Sequence, residues 1–284
     1  MVKIIKSSLD LINERSLDTK QIGFVPTMGN LHDGHLSLLE KALTDNDVVY
    51  FSIFVNPKQF SPTEDFQKYP RTLSEDVSKI ENTEKKFQNK KIVIFAPPTP
   101  EEIFPGDFNQ TISVVELCNT LEGKQRPGHF DGVATVVFQL FQLIRPNKAY
   151  FGLKDFQQYL VIRKLVRDLA MPTEIIGMPT VRDFSGLALS SRNQYLSDQQ
   201  REQALILPQS LKKIADIIEG KKENLAHAKL EIDRLIMDKN WNYLEMRDAE
   251  NLSTDLTSSS QIAILGVYQL GTTRLLDNIQ LGIK

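Results

Sequence analysis

As far as about Met178, short apolar runs alternate with longer stretches in which apolar residues recur every three or four positions. The runs Ile22–Val25, Val48–Phe54, Ile92–Phe95, Ala149–Phe151 and Glu174–Met178 predict strands, and the stretches His35–Leu43, Leu73–Ile80, Val133–Ile144 and Phe156–Leu169 predict helices between them. Strands that are apolar on both faces and separated by helices imply an α/β fold with a parallel sheet covered on both sides. The N-terminal segment, MVKIIKSSLDLINER, reads as the start of an amphipathic helix. After Leu196 the pattern changes. Ser197–Gly220 and Asn224–Met237 predict two helices, the first capped within SDQQ by Ser197 or Asp198. Shorter strand-like runs follow at Tyr243–Arg247, Ile262–Tyr268 and Thr273–Asp277. The expectation is a first domain over 1–176 and a smaller C-terminal α+β domain over 177–284, divided near Gly177–Pro179. Lys221, Lys222 and Glu223 read as a solvated link between helices.

The densest chemistry lies in Phe24–His35, FVPTMGNLHDGH. Pro26 is expected to end the strand, Met28, Gly29 and Asn30 to form a bend, and His32–Asp33–Gly34–His35 to open the helix. A strand, a turn and a helix N-terminus make an anion site, because free backbone N–H groups and the positive end of the helix dipole converge there. Two imidazoles spaced i, i+3 share one face of the first turn and can stabilise charge on a phosphate. Gly34 is expected to keep a side chain away from a nucleotide. Two alternatives stay open at this point. The pair can hold zinc, which requires a third ligand from a chain with four His (32, 35, 129, 227) and one Cys. It can also simply cap the helix.

Composition narrows the partners. Of 284 residues, 34 are Lys or Arg and 36 Asp or Glu, so no basic excess points to nucleic acid or a membrane surface. The single cysteine, Cys118, excludes an internal disulfide and fits a reducing compartment. No apolar run approaches membrane-spanning length and the start lacks a signal-peptide pattern, which together imply a cytoplasmic location.

Further polar segments follow predicted strands, where parallel sheets bind ligands. In Phe54–Phe60, FVNPKQF, Asn56 and Gln59 supply amides that read a polar ligand without titrating, or form an ordinary Asx-Pro turn. In YPRTLSED (69–76), Arg71 is a phosphate clamp or a surface charge. In LEGKQRPGHFDGVATVV (121–137), the segment Lys124–Phe130, with Arg126 and His129, is a glycine-hinged loop able to close over a phosphate, or a solvated connector. In FGLKDFQQ (151–158), Lys154 can meet phosphate and Asp155 a ribose or a metal-bound water, while Gln158 projects toward the same mouth or lies on a helix surface. In GLALSSRNQYL (186–196), Ser190, Ser191 and Arg192 can cradle phosphates through hydroxyls and a guanidinium fork.

Taken in order, PTMGNLHDGH, FVNPKQF, YPRTL, LEG–RPGHFDGV, FGLKDFQQ and GLALSSRN resemble the pantoate–β-alanine ligase (pantothenate synthetase) family of the HxGH nucleotidyltransferase superfamily, over about Gly23–Leu196. The C-terminal part carries no matching motif. The resemblance implies a Rossmann-like ATP domain and a two-step reaction. Pantoate and Mg²⁺-ATP would form pantoyl adenylate and pyrophosphate, and β-alanine would then displace AMP to give pantothenate. It also implies that Met28, Gly29, Asn30, Leu31, His32, Asp33, Gly34 and His35, then Gly152, Leu153, Lys154 and Asp155, then Val181, Leu189, Ser190, Ser191 and Arg192 contact ATP. His35, with His32, Lys154 and Arg192, would be catalytic; Gln59 and Gln158 would hold pantoate, and Gln59 would face β-alanine. A homodimer is implied as well, with apolar surface on Val133–Ile144 as its candidate face.

Adenylation needs alignment and charge stabilisation rather than an enzyme nucleophile. Mg²⁺ takes substrate phosphates, waters and at most one carboxylate, for which Asp76 and Asp155 are candidates, so no protein cage is expected. The sequence departs from the family at Ser185 and Leu189, where Asp and Met are usual, and at Asn30, where Ala is usual. Ser185 leaves the geometry of that loop open. Two other functions are consistent with the motifs: adenylation of a different acid, and a non-catalytic nucleotide-binding protein on the same scaffold.

Overall fold

The computed structural model describes residues 2–61, 66–87 and 89–284. No candidate site residue lies outside them; of the N-terminal segment only Met1 does. The chain divides into two compact units, Met1–Leu153 with Gln157–Pro179, and Lys154–Phe156 with Thr180–Lys284.

The first unit contains β1 (Val2–Ile5), α1 (Ser8–Ser16), β2 (Ile22–Thr27), α2 (Asp33–Asp45), β3 (Val48–Ile53), α3 (Leu73–Glu84), β4 (Lys91–Phe95), α4 (Val115–Cys118), α5 (Leu121–Gln125), α6 (His129–Ile144), β5 (Lys148–Gly152), most of α7 (Phe156–Asp168) and β6 (Glu174–Met178). Its six strands are all parallel in the order β1-β4-β3-β2-β5-β6. Five of them follow the Rossmann order, with β1 added at the edge next to β4. Chain direction through the sheet reverses between β2 and β5, and ligands of such sheets lie beyond the carboxyl ends of the strands at that switch point. The segments leaving those two ends begin at Met28 and Leu153.

Apolar burial fixes the sheet. Val25, Val49, Phe51, Ile92 and Ile94 are fully buried against Leu39, Ala42 and Leu43 of α2 and Ile80 of α3. Each such side chain contributes about 1.5–3 kcal/mol. Phe24 meets Phe141 of α6 edge to face, with ring centroids 6.0 Å apart. Helix α6 is apolar nearly all round, with Val133, Ala134, Val136, Val137, Leu140, Phe141 and Ile144 all buried. It is therefore core within one chain and not the free apolar face expected of it. Cys118 is buried too, which pushes its thiol up to about 11 and removes it from thiolate chemistry.

Three expectations are corrected. Residues Val2–Ile5 form an edge strand before the N-terminal helix, which starts only after the Ser7 cap. Strand β2 runs through Pro26 to Thr27: pairing with β5 stops at Phe24, so on that side the missing N–H leaves no ladder bond unmade. The predicted helix Ser197–Gly220 is two helices, α8 (Asp198–Ala204) and α9 (Ile206–Ile218). Pro208 has no N–H to give the carbonyl four residues earlier, at Ala204, and the helix breaks there. The Ser197 cap does form, in a reciprocal box with Gln200.

The second unit adds α10 (Leu225–Leu235), β7 (Trp241–Asp248), β8 (Gln261–Leu270) and β9 (Thr273–Gly282). The three strands form an antiparallel sheet in that order. Its own core contains Leu207, Leu211, Ile214 and Ile218 of α9 with Ile232, Ile262 and Ile264. No described helix is long and apolar enough to cross a membrane.

Near the amino ends of the sheet, Lys91 bridges Glu14 and Asp18 at 2.7 Å each, and Lys3 also pairs with Glu14. Hydrogen bonds from Lys3 and Lys91 hold the Glu14 carboxyl below its ordinary value of 4.5. The charged form is thus favoured in the folded state, so its stabilisation is present above the ordinary value and is lost as pH falls through the depressed one. Glu14→Gln is expected to melt below wild type at neutral pH, with the gap closing as pH falls below the ordinary value of 4.5. Thermal melts across that range check it.

Candidate active site

The turn leaving β2 is held from inside the protein. Thr27 Oγ1 donates to the Ser52 carbonyl (2.7 Å) and accepts the Gly29 N–H (3.2 Å). Asn30 takes a left-handed conformation, φ 51°. The Asp76 side chain, 0% exposed, accepts the N–H of Asn30 at 2.9 Å and of Leu31 at 2.8 Å, and the Thr72 hydroxyl at 3.1 Å. One turn along α3, Lys79 Nζ donates to the Leu31 carbonyl (2.7 Å). Two backbone donors expected to face an anion are therefore taken by a protein carboxylate. Asp76, a candidate metal ligand by sequence, is a loop clamp.

The histidine pair caps α2. His32 is the N-cap: its Nδ1 accepts the Gly34 N–H at 3.2 Å, while Nδ1 of His35 accepts the His32 N–H at 3.3 Å. The ring centroids are 4.1 Å apart. An Nδ1 that accepts carries no proton, so these bonds assign the neutral tautomer with hydrogen on Nε2 to both rings. Gly34 is required by the cap itself, since a Cβ there would lie 2.9 Å from Nδ1 and Cε1 of His32. The capping expectation is met, and both rings take part in the cap. Among the described residues, no group of three or more His, Cys, Asp or Glu side chains is placed to hold a metal ion.

After β3, Pro57–Gln59 forms a 3₁₀ turn capped by Asn56, whose Oδ1 accepts the Lys58 N–H (3.2 Å). Asn56 is 1% exposed, and its Nδ2 lies 3.1 Å from both Gln59 Oε1 and the Gly132 carbonyl. It holds the turn instead of meeting a ligand. Gln59 Nε2 lies 3.1 Å from Met28 Sδ, which brings these two predicted site residues together. Helix α6 approaches so closely that a Cβ on Gly132 would lie 2.1 Å from the Lys58 carbonyl oxygen. From the same helix, His129 Nδ1 lies 2.8 Å from the Gln59 carbonyl oxygen and Nε2 lies 3.0 Å from Arg126 Nη1. A proton on Nδ1 satisfies both contacts. The segment Lys124–Phe130 is accordingly no hinged loop: it comprises the end of α5, a short turn and the start of α6. Arg71 likewise organises its own loop, donating to the carbonyls of Phe66, Gln67 and Tyr69.

Beyond β5, Leu153–Asp155 is a 3₁₀ turn in which Lys154 Nζ pairs with Asp155 at 3.3 Å. The two glutamines that follow differ. Gln157 is buried and spends its amide on the Glu122 N–H and the Leu117 and Thr120 carbonyls. Gln158 is half-buried and makes no side-chain hydrogen bond among the described residues, so its amide is available to a ligand.

In the second unit, Leu189 N–H donates to the Val181 carbonyl (2.9 Å) across a hairpin closed by an Arg182–Ala188 bridge. Burial raises the Asp183 carboxyl, but bonds from the Ser185 hydroxyl and the N–H groups of Ser185, Leu187 and Gly186 outweigh it and hold it below the ordinary range. Ser185, which departs from the usual family residue, is thus part of an ordered turn built on the neighbouring carboxylate. Ser190 caps the 3₁₀ turn Ser191–Tyr195 by accepting the Arg192 N–H (3.3 Å). Lys154, Ser190 and Arg192 line one small pocket with Arg274 and Asp277. Arg274 and Asp277 carried no motif in the sequence. Their only signal was a run of polar residues, Asp277–Asn278, at the end of an apolar strand.

A Rossmann-order sheet whose first crossover helix is capped by a His-x-Gly-His pair defines the α/β class to which this chain belongs. The family model for pantoate–β-alanine ligase matches residues 1–280. A pantothenate synthetase of Pseudomonas fluorescens is 45% identical over 99% of this chain and 98% of its own. One from Caldicellulosiruptor saccharolyticus is 41% identical over 95% of each. The crystal structure of the Thermus thermophilus pantothenate synthetase superposes with a TM-score of 0.87 at 38% identity, covering 98% of both chains. That of the Francisella tularensis pantoate–β-alanine ligase, complexed with beta-gamma ATP and β-alanine, gives 0.75 at 33% identity over 98% of this chain and 97% of the other. The chain is a ligase and belongs to the pantoate–β-alanine ligase family.

Asp76→Ala leaves the Asn30 and Leu31 amides without their acceptor. It is expected to cost about 2–3 kcal/mol and to accelerate hydrogen exchange at those two amides, with α9 amides unchanged; exchange measured by NMR or mass spectrometry checks it.

Proposed function

We propose that the protein condenses (R)-pantoate with β-alanine in an ATP-dependent reaction through pantoyl adenylate. A pantoate carboxylate oxygen attacks the α-phosphorus of ATP, the bond to the bridging oxygen breaks, and pyrophosphate leaves. The amine of β-alanine then attacks the acyl carbon, loses a proton to solvent, and AMP departs with the bonding pair. The observation that carries this reading is the interlocked His32–His35 pair at the carboxyl end of β2, next to the switch point of the sheet. A neutral imidazole with its proton on Nε2 donates a hydrogen bond but does not give the proton up. The pair is therefore assigned to stabilising charge on the phosphates, in preference to acid catalysis by His35.

In this proposal ATP contacts Met28–His35, Gly152–Asp155, Val181 and Leu189–Arg192, with Lys154 and Arg192 supplying positive charge as pyrophosphate forms. Gln59 and Gln158 hold pantoate, and Gln59 also faces β-alanine. Neutral amides suit a small hydroxy acid better than a phosphorylated acceptor, which would call for cations. Support for ATP and β-alanine comes from the Francisella tularensis relative complexed with beta-gamma ATP and β-alanine. Mg²⁺ belongs with the nucleotide: its ligands would be phosphate oxygens, waters and at most one carboxylate, for which Asp155 stays the candidate. Cytoplasmic location and homodimeric assembly belong to the same proposal, and any dimer must use a face other than the buried side of α6.

His32→Asn keeps an N-cap but removes the ring. It is expected to retain the circular dichroism and melting behaviour of wild type while pantoate-dependent ATP–pyrophosphate exchange falls about a hundredfold or more. His35→Ala is expected to lose exchange similarly, and wild-type exchange in either variant would refute the assignment. Assaying AMP release with a panel of small hydroxy acids separates pantoate from other acceptors.

A further inference from the structure

Two consecutive residues of β9 touch both segments that the second unit contributes to the proposed phosphate site. Asp277, with its side chain 1% exposed, accepts two bonds from the Arg182 guanidinium, at 2.6 and 3.0 Å. The same guanidinium donates to the Gly186 carbonyl at 3.1 Å. The hairpin that feeds Leu189–Arg192 is thereby tied to β9 through Arg182 on its incoming strand, which also holds its turn. Asn278, 4% exposed, reaches Lys154 instead: its Nδ2 donates to the Lys154 carbonyl at 2.8 Å. Successive side chains of a strand point to opposite faces, so one dipeptide can serve two partners. The dipeptide is itself fixed. The Asn278 N–H donates to Asp277 Oδ1 (2.8 Å), Asn278 Oδ1 accepts from Gln280, and β8 backs both positions through Gly266 and Leu265.

Energetically, a buried ion pair is a poor stabiliser, since desolvation offsets most of its attraction, but its fork geometry fixes direction and distance well. Lys154 and Arg192 are flexible cations that must meet phosphate oxygens together, and ordering long side chains costs entropy at the moment of binding. A rigid common anchor lowers that cost in advance.

We propose that Asp277 and Asn278 are positioning residues of the ATP site. They set the spacing between the Lys154 backbone and the Ser190–Arg192 turn, and so the joint affinity of these groups for the nucleotide phosphates. The inference rests on the assignment of Lys154 and Arg192 to those phosphates.

The test is titration calorimetry of Mg²⁺-ATP and, separately, pantoate on the full-length protein. Asn278→Asp keeps the side-chain shape and the acceptor for Gln280 while removing the donor to Lys154. It is expected to weaken ATP binding about fivefold and to leave pantoate binding within about twofold, with the fold retained by circular dichroism. Asn278→Ala should match it. In a Lys154→Ala background the same substitution should add almost nothing, because the group it positions is gone. Asp277→Asn should behave in parallel, non-additive with Arg192→Ala. Equal weakening of ATP and pantoate together with a lowered melting temperature would mark a merely structural role and overturn the proposal. Unchanged ATP affinity in both Asn278 variants, with Lys154→Ala impaired, would overturn it while leaving the phosphate assignment intact. Wild-type ATP affinity in Lys154→Ala would instead remove that assignment and the proposal with it.

Discussion

The constraint on which the site depends is that the turn after β2 spends its own backbone donors internally. A bare helix N-terminus presents unpaired N–H groups, and these usually meet the anion. Here Asp76 takes the amides of Asn30 and Leu31, and the two imidazoles take those of Gly34 and His32. Gly34, the extended His32 backbone and the placement of α3 are all conditions of that arrangement.

The same division between groups that hold and groups that present recurs in the glutamine turn. Gln59 has its carbonyl engaged by His129 and its amide oxygen by Asn56, and Gly132 lets α6 come close enough for both. In the second unit, Asp183 orders the hairpin turn and Asp277 ties that hairpin to the sheet. The sequence segments carrying this family's motifs therefore contain braces beside the candidate ligands. A polar motif residue such as Asn56, Arg126 or Gln157 is explained by its neighbours in the protein.

This shows which parts of the molecule can be read from the chain alone. The parallel sheet was legible because strands buried on both faces are nearly all apolar, and the site turn because its histidines and glycine fall within one helical turn of a strand end. Asp76 was visible as a polar residue but not as a clamp, since its partners lie 45 and 46 positions away. Edge strand β1 was hidden by its length: four residues running into an amphipathic helix give a periodicity dominated by the helix. The break between α8 and α9 was legible in principle from Pro208, but the apolar period continues across it and outweighed the proline. Lys124–Phe130 misled because glycine, proline and charge are loop signals, whereas Lys124 and Gln125 close a helix begun by buried Leu121, Glu122 and Gly123, and His129 and Phe130 open the next. The role of Asp277–Asn278 is a tertiary relation between a strand and two turns, and composition encodes none of it.

The tight seating of Gly132 against the Lys58 carbonyl carries a consequence for how acceptor preference can change in this family. The main chain under Gln59 is clamped from above by a helix and from the side by an imidazole, so it has nowhere to retreat. In the proposed acid site, room for a bulkier acid has to come from trimming side chains, because the main chain beneath Gln59 cannot be lowered. Laboratory evolution toward longer acceptors should thus accumulate smaller residues at positions such as 59 and 158 and leave 129 and 132 untouched.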